Sequence, residues 1–221
     1  MKLQYLGDSR DSFKWDYHDY LMSSMHYSLF NVALMLTPND NTKQGSTKPH
    51  GYQAHDNIID FCNNLKRNKD IQLIMQLPSC HDAKYKVALH KNDIQITNKN
   101  RKEYFSNING EKKQVFFLDS DNGFQPEKKY SNKHVLYSDI ENILEQISEH
   151  SIVSVFQYFR RIPFVTDFLK IKQRLVSGHA TAICWHSLMF VTISKSEEII
   201  NKVRSVNHNY SQIPRPVSII K

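Results

Sequence analysis

The stretch Gln114-Val115-Phe116-Phe117-Leu118-Asp119-Ser120-Asp121-Asn122-Gly123 decides the fold. Four bulky apolar residues in a row run into two carboxylates, an amide and a glycine. The run is too short for a surface helix and ends in turn-forming residues, so residues 114–118 read as a buried strand. In open α/β sheets ligands bind beyond the carboxyl ends of the strands, which is where Asp119, Asp121 and Asn122 fall. Several oxygens in one small volume suit a Mg²⁺ ion, an amine or the edge of a nucleobase. They equally suit an Asx-rich turn, given the local hydrogen bonding of Asp and Asn.

Working outward, apolar residues alternate between two periods. Downstream, Ser138 or Asp139 is expected to cap a helix running to about residue 149, with Ile140, Ile143, Leu144 and Ile147 inward. Residues 152–156 read as a strand and 164–176 as a helix. Residues 180–185 and 189–194 read as two strands about His186-Ser187-Leu188. A last helix covers 197–208, and the tail 213–221, with Pro214 and Pro216, is extended. Upstream, Phe13, Tyr17, Tyr20 and Leu21 recur at helical spacing over residues 11–25, with Asp8 or Ser9 placed to cap. Residues 29–36 and 71–77 read as strands and 56–66 as a helix. The polar stretch 39–55, with Gly45, Pro49 and Gly51, reads as a mobile loop. Between 84 and 109 the pattern is weak; 87–89 and 94–96 fit a hairpin about Asn92-Asp93. Strands alternating with amphipathic helices indicate a single α/β domain over residues 1–221. Its expected form is a Rossmann-like three-layer sheet, mostly parallel, with an antiparallel C-terminal edge hairpin.

Composition narrows the class. The 221 residues are 40% hydrophobic and 11% aromatic, which is enough to build a core and too aromatic for a disordered chain. No apolar run approaches the roughly 20 residues of a membrane span, and residues 1–8 lack the build of a signal peptide. Cys62, Cys80 and Cys184 are odd in number and far apart, against a disulfide framework or a cysteine zinc site. A cytoplasmic protein without membrane contact is expected. The net charge of +7, from 29 basic and 22 acidic residues, favours a polyanionic partner, nucleic acid above all.

Other strand ends add candidates. The first delivers Thr37, Asn39, Asp40 and Asn41; the strand from 152 delivers Gln157, Arg160 and Arg161. The adjacent arginines are placed to clamp phosphate bidentately, or to pair with Asp167. With Gln157 and the loop residues Lys43 and Lys48 they form the expected nucleic-acid contact set. Asp8, Asp119, Asp121 and Gln157 are expected to converge on one cleft, with at least one carboxyl titrating high, unless a cation intervenes, because like charges held close repel. The sequence has no H-E-x-x-H, G-x-S-x-G or G-x-x-x-x-G-K-S/T pattern.

An α/β sheet closing in an antiparallel hairpin resembles the class I methyltransferases. Their fourth motif, a strand followed by Asp/Asn-Pro-Pro-Tyr/Phe, is matched at Asp119, with Ser120, Asp121 and Asn122 in place of the prolines and the aromatic. Tyr5-Leu6-Gly7-Asp8 and the following helix with Lys14 are similar to the opening of Rossmann-fold methyltransferases, rRNA adenine methyltransferases among them. Three-Cys-motif partner proteins are similar in outline. The resemblance implies an S-adenosylmethionine-dependent enzyme acting on nucleic acid, with Asp119, Asp121 and Asn122 catalytic and Asp8, Lys14, Asn39 and Asp40 at the cofactor. The Gly-rich turn of that family has no counterpart between Leu36 and Asn41. Asp119, Asp121 and Asn122 also resemble the Asp-x-Asp-Gly/Asn-Thr motif of haloacid dehalogenases, with Gly123 in place of Thr. That implies the alternative of a Mg²⁺-dependent nuclease or phosphohydrolase with Asp119 and Asp121 as metal ligands. A non-catalytic binding module on the same fold is the third reading.

Overall fold

The computed structural model describes residues 1–39, 45–213 and 215–220. Among them the principal sheet has seven strands: β1 (Leu29–Ala33), β2 (Lys86–Leu89), β3 (Gln114–Leu118), β6 (Ile152–Tyr158), β7 (His179–Trp185), β8 (Leu188–Ser194) and β9 (Ser218–Ile220). Two short strands, β4 (Gly123–Phe124) and β5 (His134–Val135), pair apart from it. The order is β2-β1-β3-β6-β8-β7-β9. Strands β2, β1, β3 and β6 are parallel neighbours, whereas β8 runs antiparallel to both β6 and β7. The strand ending at Leu118 is interior, and Ala182 and Ile183 pair with Val191 and Phe190. Strand β9 extends the antiparallel end beyond the expected hairpin by pairing with β7.

Alternation along each strand sorts the core into two layers. Phe30, Val32, Val115, Phe117, Ile152 and Phe156 face α1 (Ser9–Ser24), α2 (Asp56–Asn68) and α6 (Glu197–Gln212). Ala33, Phe116, Leu118, Val153 and Val155 face α3 (Arg101–Tyr104), α4 (Tyr137–Gln146) and α5 (Phe164–Arg174). This is the Rossmann-like three-layer arrangement, and no helix among the described residues is long and apolar enough to cross a membrane.

Helix α1 departs most from the amphipathic expectation. Buried charged and polar residues occupy it as well as apolar ones: Asp11, Lys14, Asp16, His18 and Asp19 beside Phe13, Trp15, Tyr17 and Leu21. A buried charge persists only when paired, and each has partners. The Asp16 carboxylate receives Tyr210 Oη at 2.6 Å and Arg215 Nη2 at 3.1 Å. Asp19 receives Tyr85 Oη at 2.6 Å and lies 2.7 Å from His81 Nδ1. His18 donates from Nδ1 to the Lys14 carbonyl at 2.7 Å and accepts Ser154 Oγ at Nε2, 2.8 Å away. Burial lowers its pKa to about 3, so it is a neutral core residue.

Several expectations are corrected. Residues 71–77 are not a strand: Ile71–Cys80 is 3₁₀ helix. Asp70 caps Gln72 N, Pro78 cannot serve a ladder, and Ile74 and Leu77 bury at the i, i+3 spacing of three residues per turn. Strand β2 pairs parallel with β1 rather than in a hairpin with 94–96, which is turn and coil. In α4, Leu136 holds the N-cap position; Asp139 is N3 and reaches back to accept Leu136 N at 2.8 Å. Within the described part of 39–55 most residues are exposed, while Tyr52 is buried against Phe13 and Trp185 and Lys66 Nζ donates to the Thr47 carbonyl.

Candidate functional site

Strand β2 lies on one side of β1 and β3 on the other, so the winding of the sheet reverses between β1 and β3. Ligand sites in doubly wound sheets open at such a reversal, past the carboxyl ends. A cavity of about 310 Å³ lies here, lined by Asp8, Arg10, Asp11, Lys14, Asp119, Asp121, Asn122, Lys133, Phe156 and Tyr158, with Met1, Lys2, Tyr5 and Ser120. Its size falls at the lower end of small-molecule pockets.

The turn after β3 builds the floor. Ser120 Oγ accepts Gly123 N at 2.9 Å. Gly123 has φ +88°, and a Cβ there would lie 2.3 Å from Gln157 Oε1. Only glycine closes this turn, and closure aims Asp119 and Asp121 upward. From the facing side, Gly7 turns at φ +74° with no room for a Cβ beside the Cys62 carbonyl. Asp8 then caps α1, its Oδ1 accepting Arg10 N at 2.8 Å and Asp11 N at 3.0 Å.

Lys14 Nζ sits between Asp11 Oδ1 at 2.6 Å and Asp119 Oδ2 at 2.7 Å, with all three side chains buried. Burial opposes the lysine's charge, but Asp11 and Asp119 outweigh it, and the ammonium holds its proton more tightly than a free lysine. A lysine so held is a fixed cation, not a base or nucleophile. Burial pushes the Asp119 carboxyl up, and Lys14 opposes that push. Asp8 is lifted to about 6, first by burial and then by the charge of Asp11. Asp8 and Asp119 are thus both raised, each by burial first rather than by the expected repulsion between carboxylates.

Asp121 is committed elsewhere. Its Oδ2 accepts Thr37 Oγ1 at 2.5 Å, and its Oδ1 lies 3.1 Å from the Met1 nitrogen. Met1 N also donates to the Met35 carbonyl at 2.8 Å, and Thr37 N to the Met1 carbonyl at 2.9 Å. The N-terminal segment therefore lies against the chain leaving β1, where the family resemblance expects the methionine end of a cofactor. The open volume is displaced toward β3 and β6. There Tyr5, Phe156 and Tyr158 offer ring surface, and Arg10 stacks on Tyr158 with its guanidinium 5.1 Å from the ring centre. Lys2, Arg10, Lys14 and Lys133 share the lining with these rings and with Asp8, Asp11, Asp119 and Asp121.

Asp119 and Asp121, the two expected Mg²⁺ ligands, both face other charged groups here. Asp119 Oδ2 is held by Lys14, Asp121 Oδ2 accepts Thr37 Oγ1, and Asp121 Oδ1 faces the Met1 nitrogen at 3.1 Å without a hydrogen bond. Among the described residues no group of three or more His, Cys, Asp or Glu side chains is arranged to hold a metal ion.

Of the expected residues, Asp8, Lys14, Asp119, Asp121 and Asn122 line this one cavity. Asn39 does not; it is exposed and accepts Gln4 N at 3.3 Å. Gln157 is fully buried and faces away, accepting Phe124 N at 2.8 Å. Arg160 is not a free phosphate clamp: its Nε lies 3.1 Å from both oxygens of buried Asp167, and Nη1 donates to the Phe124 carbonyl. Arg161 and Lys48 are exposed and line no part of the cavity. Asp40 and Lys43 lie outside the described residues. The sequence reading missed Arg10, Tyr5, Phe156 and Lys133 as lining residues. For Asp11, which also lines the cavity, a signal existed, since Asp8-x-x-Asp11-x-x-Lys14 puts three charges on adjoining positions of one helix end. For Lys133 there was none. No protein-family model, no curated protein and no solved structure matches the chain.

Proposed function

We propose that this protein binds an S-adenosylmethionine-type ligand in the cavity at the β1/β3 reversal and acts on nucleic acid. The observation that carries the reading is the lining itself: the aromatic residues Tyr5, Phe156 and Tyr158 beside Asp8 and Asp119. A flat heterocycle joined to a cationic centre complements such a wall. The antiparallel close of the sheet and the Asp119 turn support the methyltransferase-like outline, by fold analogy. Lys14 restrains Asp119, which favours ligand binding over a catalytic role for that carboxylate. The net charge of +7 supports the nucleic-acid partner, and three free cysteines suit a reducing cytoplasm.

Calorimetric titration tests the ligand. S-adenosylmethionine and S-adenosylhomocysteine are expected to bind, and Tyr158→Ala to weaken both. Asp8→Asn is expected to weaken the sulfonium ligand more than the neutral thioether. Absence of heat with both ligands at millimolar concentration overturns the reading. Methyl transfer from labelled cofactor to RNA or DNA then separates an enzyme from a binding module.

A further inference from the structure

The excess positive charge is concentrated. Residues 125–133 hold three basic residues against one acid, and residues 159–176 hold five against one. Together they account for most of the chain's net +7. The structure brings these two segments side by side. Arg174 Nη1 donates to the Gln125 carbonyl at 3.3 Å, and Lys170 Nζ lies 3.5 Å from Glu127. They share a groove lined by Pro126, Lys128, Tyr137, Arg160, Ile162 and Lys170 among others. Polar and charged residues alone would make this a solvated face, but the same two segments also expose large apolar side chains beside the groove residues in sequence. Tyr130 is 50% exposed, Phe159 39% and Leu169 47%. Phe159 is propped by the Phe164 ring, 5.5 Å away.

A second copy of this chain does not suit that face, because cationic residues would meet cationic residues across an isologous contact. A polyanion with flat apolar groups does. We propose that this surface, centred on Lys128, Lys129, Tyr130, Phe159, Arg161 and Lys170, binds single-stranded nucleic acid. Lysines and Arg161 meet phosphates, while Tyr130 and Phe159 each offer a ring to an unstacked base. In a duplex the bases are stacked and out of reach of such rings, so the exposed aromatics select the single strand. The segment that carries Lys128 also carries Lys133, which lines the cavity. The assignment rests on the nucleic-acid half of the reading above and is independent of the cavity ligand.

Fluorescence anisotropy with a labelled 12-nucleotide single strand of mixed sequence and its duplex, without cofactor, tests it. About four phosphate contacts give a slope of roughly -2.8 in log K against log salt, or about a 50-fold loss from 50 to 200 mM. Lys128→Ala/Lys129→Ala is expected to reduce the slope by about 1.4. Tyr130→Ala is expected to cost about ten-fold in affinity at constant slope. Arg67→Ala, exposed on α2 in the other helix layer, is expected to change neither. All these residues are exposed, so the variants fold. Oligonucleotide binding that ignores the Lys128, Lys129 and Tyr130 substitutions overturns this surface while leaving the partner standing. Tighter binding of the duplex overturns the single-strand assignment. No binding to either at 50 mM salt overturns both the surface and the nucleic-acid partner.

Discussion

Asp8 is a carboxyl held where the neutral form is favoured, because burial and Asp11 lift it to about 6 from a usual value of 3.8. Between about pH 4 and 6 the folded chain keeps a proton there that the unfolded chain has lost. Stability from this residue is therefore full at low pH and falls as pH rises through 6, by on the order of 3 kcal/mol at pH 7. Asn caps a helix as well as Asp does. Asp8→Asn is thus expected to be more stable than the parent at pH 7.5, with the gap closing toward pH 4.5, in urea midpoints taken across that range. A gap that stays constant with pH contradicts the raised carboxyl. Lys14 gives the opposite case. Lys14→Met leaves Asp11 and Asp119 buried without their cation, at a cost of about 3–5 kcal/mol. Both carboxylates can shed that cost by protonation, so the deficit in denaturation midpoint is expected to shrink as pH is lowered.

Turns and short bridges set the element geometry. Gly123 lets the chain fold back under β6, and Gly123→Ala meets both a left-handed φ and the Gln157 side chain. A loss of about 2–3 kcal/mol is expected in chemical denaturation, with Gln157 released from Phe124 N. Arg160 joins the turn after β6 to α5 through Asp167, which is 1% exposed. Arg160→Ala is expected to cost roughly 2 kcal/mol in stability and to leave the salt dependence of any oligonucleotide binding nearly unchanged. Elements with one clear period were legible from the sequence: β3, β6, the β7/β8 pair and helices α2, α5 and α6. The 71–80 segment was misread because a short apolar run has the same composition in a strand and in a buried 3₁₀ turn. Asp70 and Pro78 were the local cues that separate them. Strand β9 was missed because three residues after two prolines carry no period at all.

At the scale of the whole molecule, one helix reaches most of the fold. Helix α1 touches the sheet through Lys14–Asp119 and His18–Ser154, the tail through Asp16–Arg215, and the 3₁₀ segment through Asp19–His81. Terminal helices usually fray. Here α1 amides near Lys14 to His18 are expected to exchange with solvent as slowly as those of β3 and β6, since opening them breaks the core. Exchange of α1 orders of magnitude faster than the strands contradicts that role. Half of the candidate site was legible for the same reason it is compact. Asp8, Lys14, Asp119 and Asp121 come from a helix cap and a strand end, which sequence patterns locate. Lys133, Phe156 and Tyr158 reach the cavity only through the register of β5 and β6, and pairing register is not written in either strand alone.

The Asp16–Arg215 bridge spans 199 positions of the chain. Translation proceeds at roughly 5–20 residues per second, so Asp16 leaves the ribosome about 10–40 s before its partner is made. Throughout that interval Tyr17 lacks its α6 partners Tyr210 and Asn207, and Asp16 lacks its guanidinium. Vectorial folding cannot finish this domain from the front. The nascent chain therefore holds α1 half finished: Trp15 can pack on Phe30, Phe61 and Phe117 early, whereas Tyr17 and Asp16 wait for Tyr210 and Arg215.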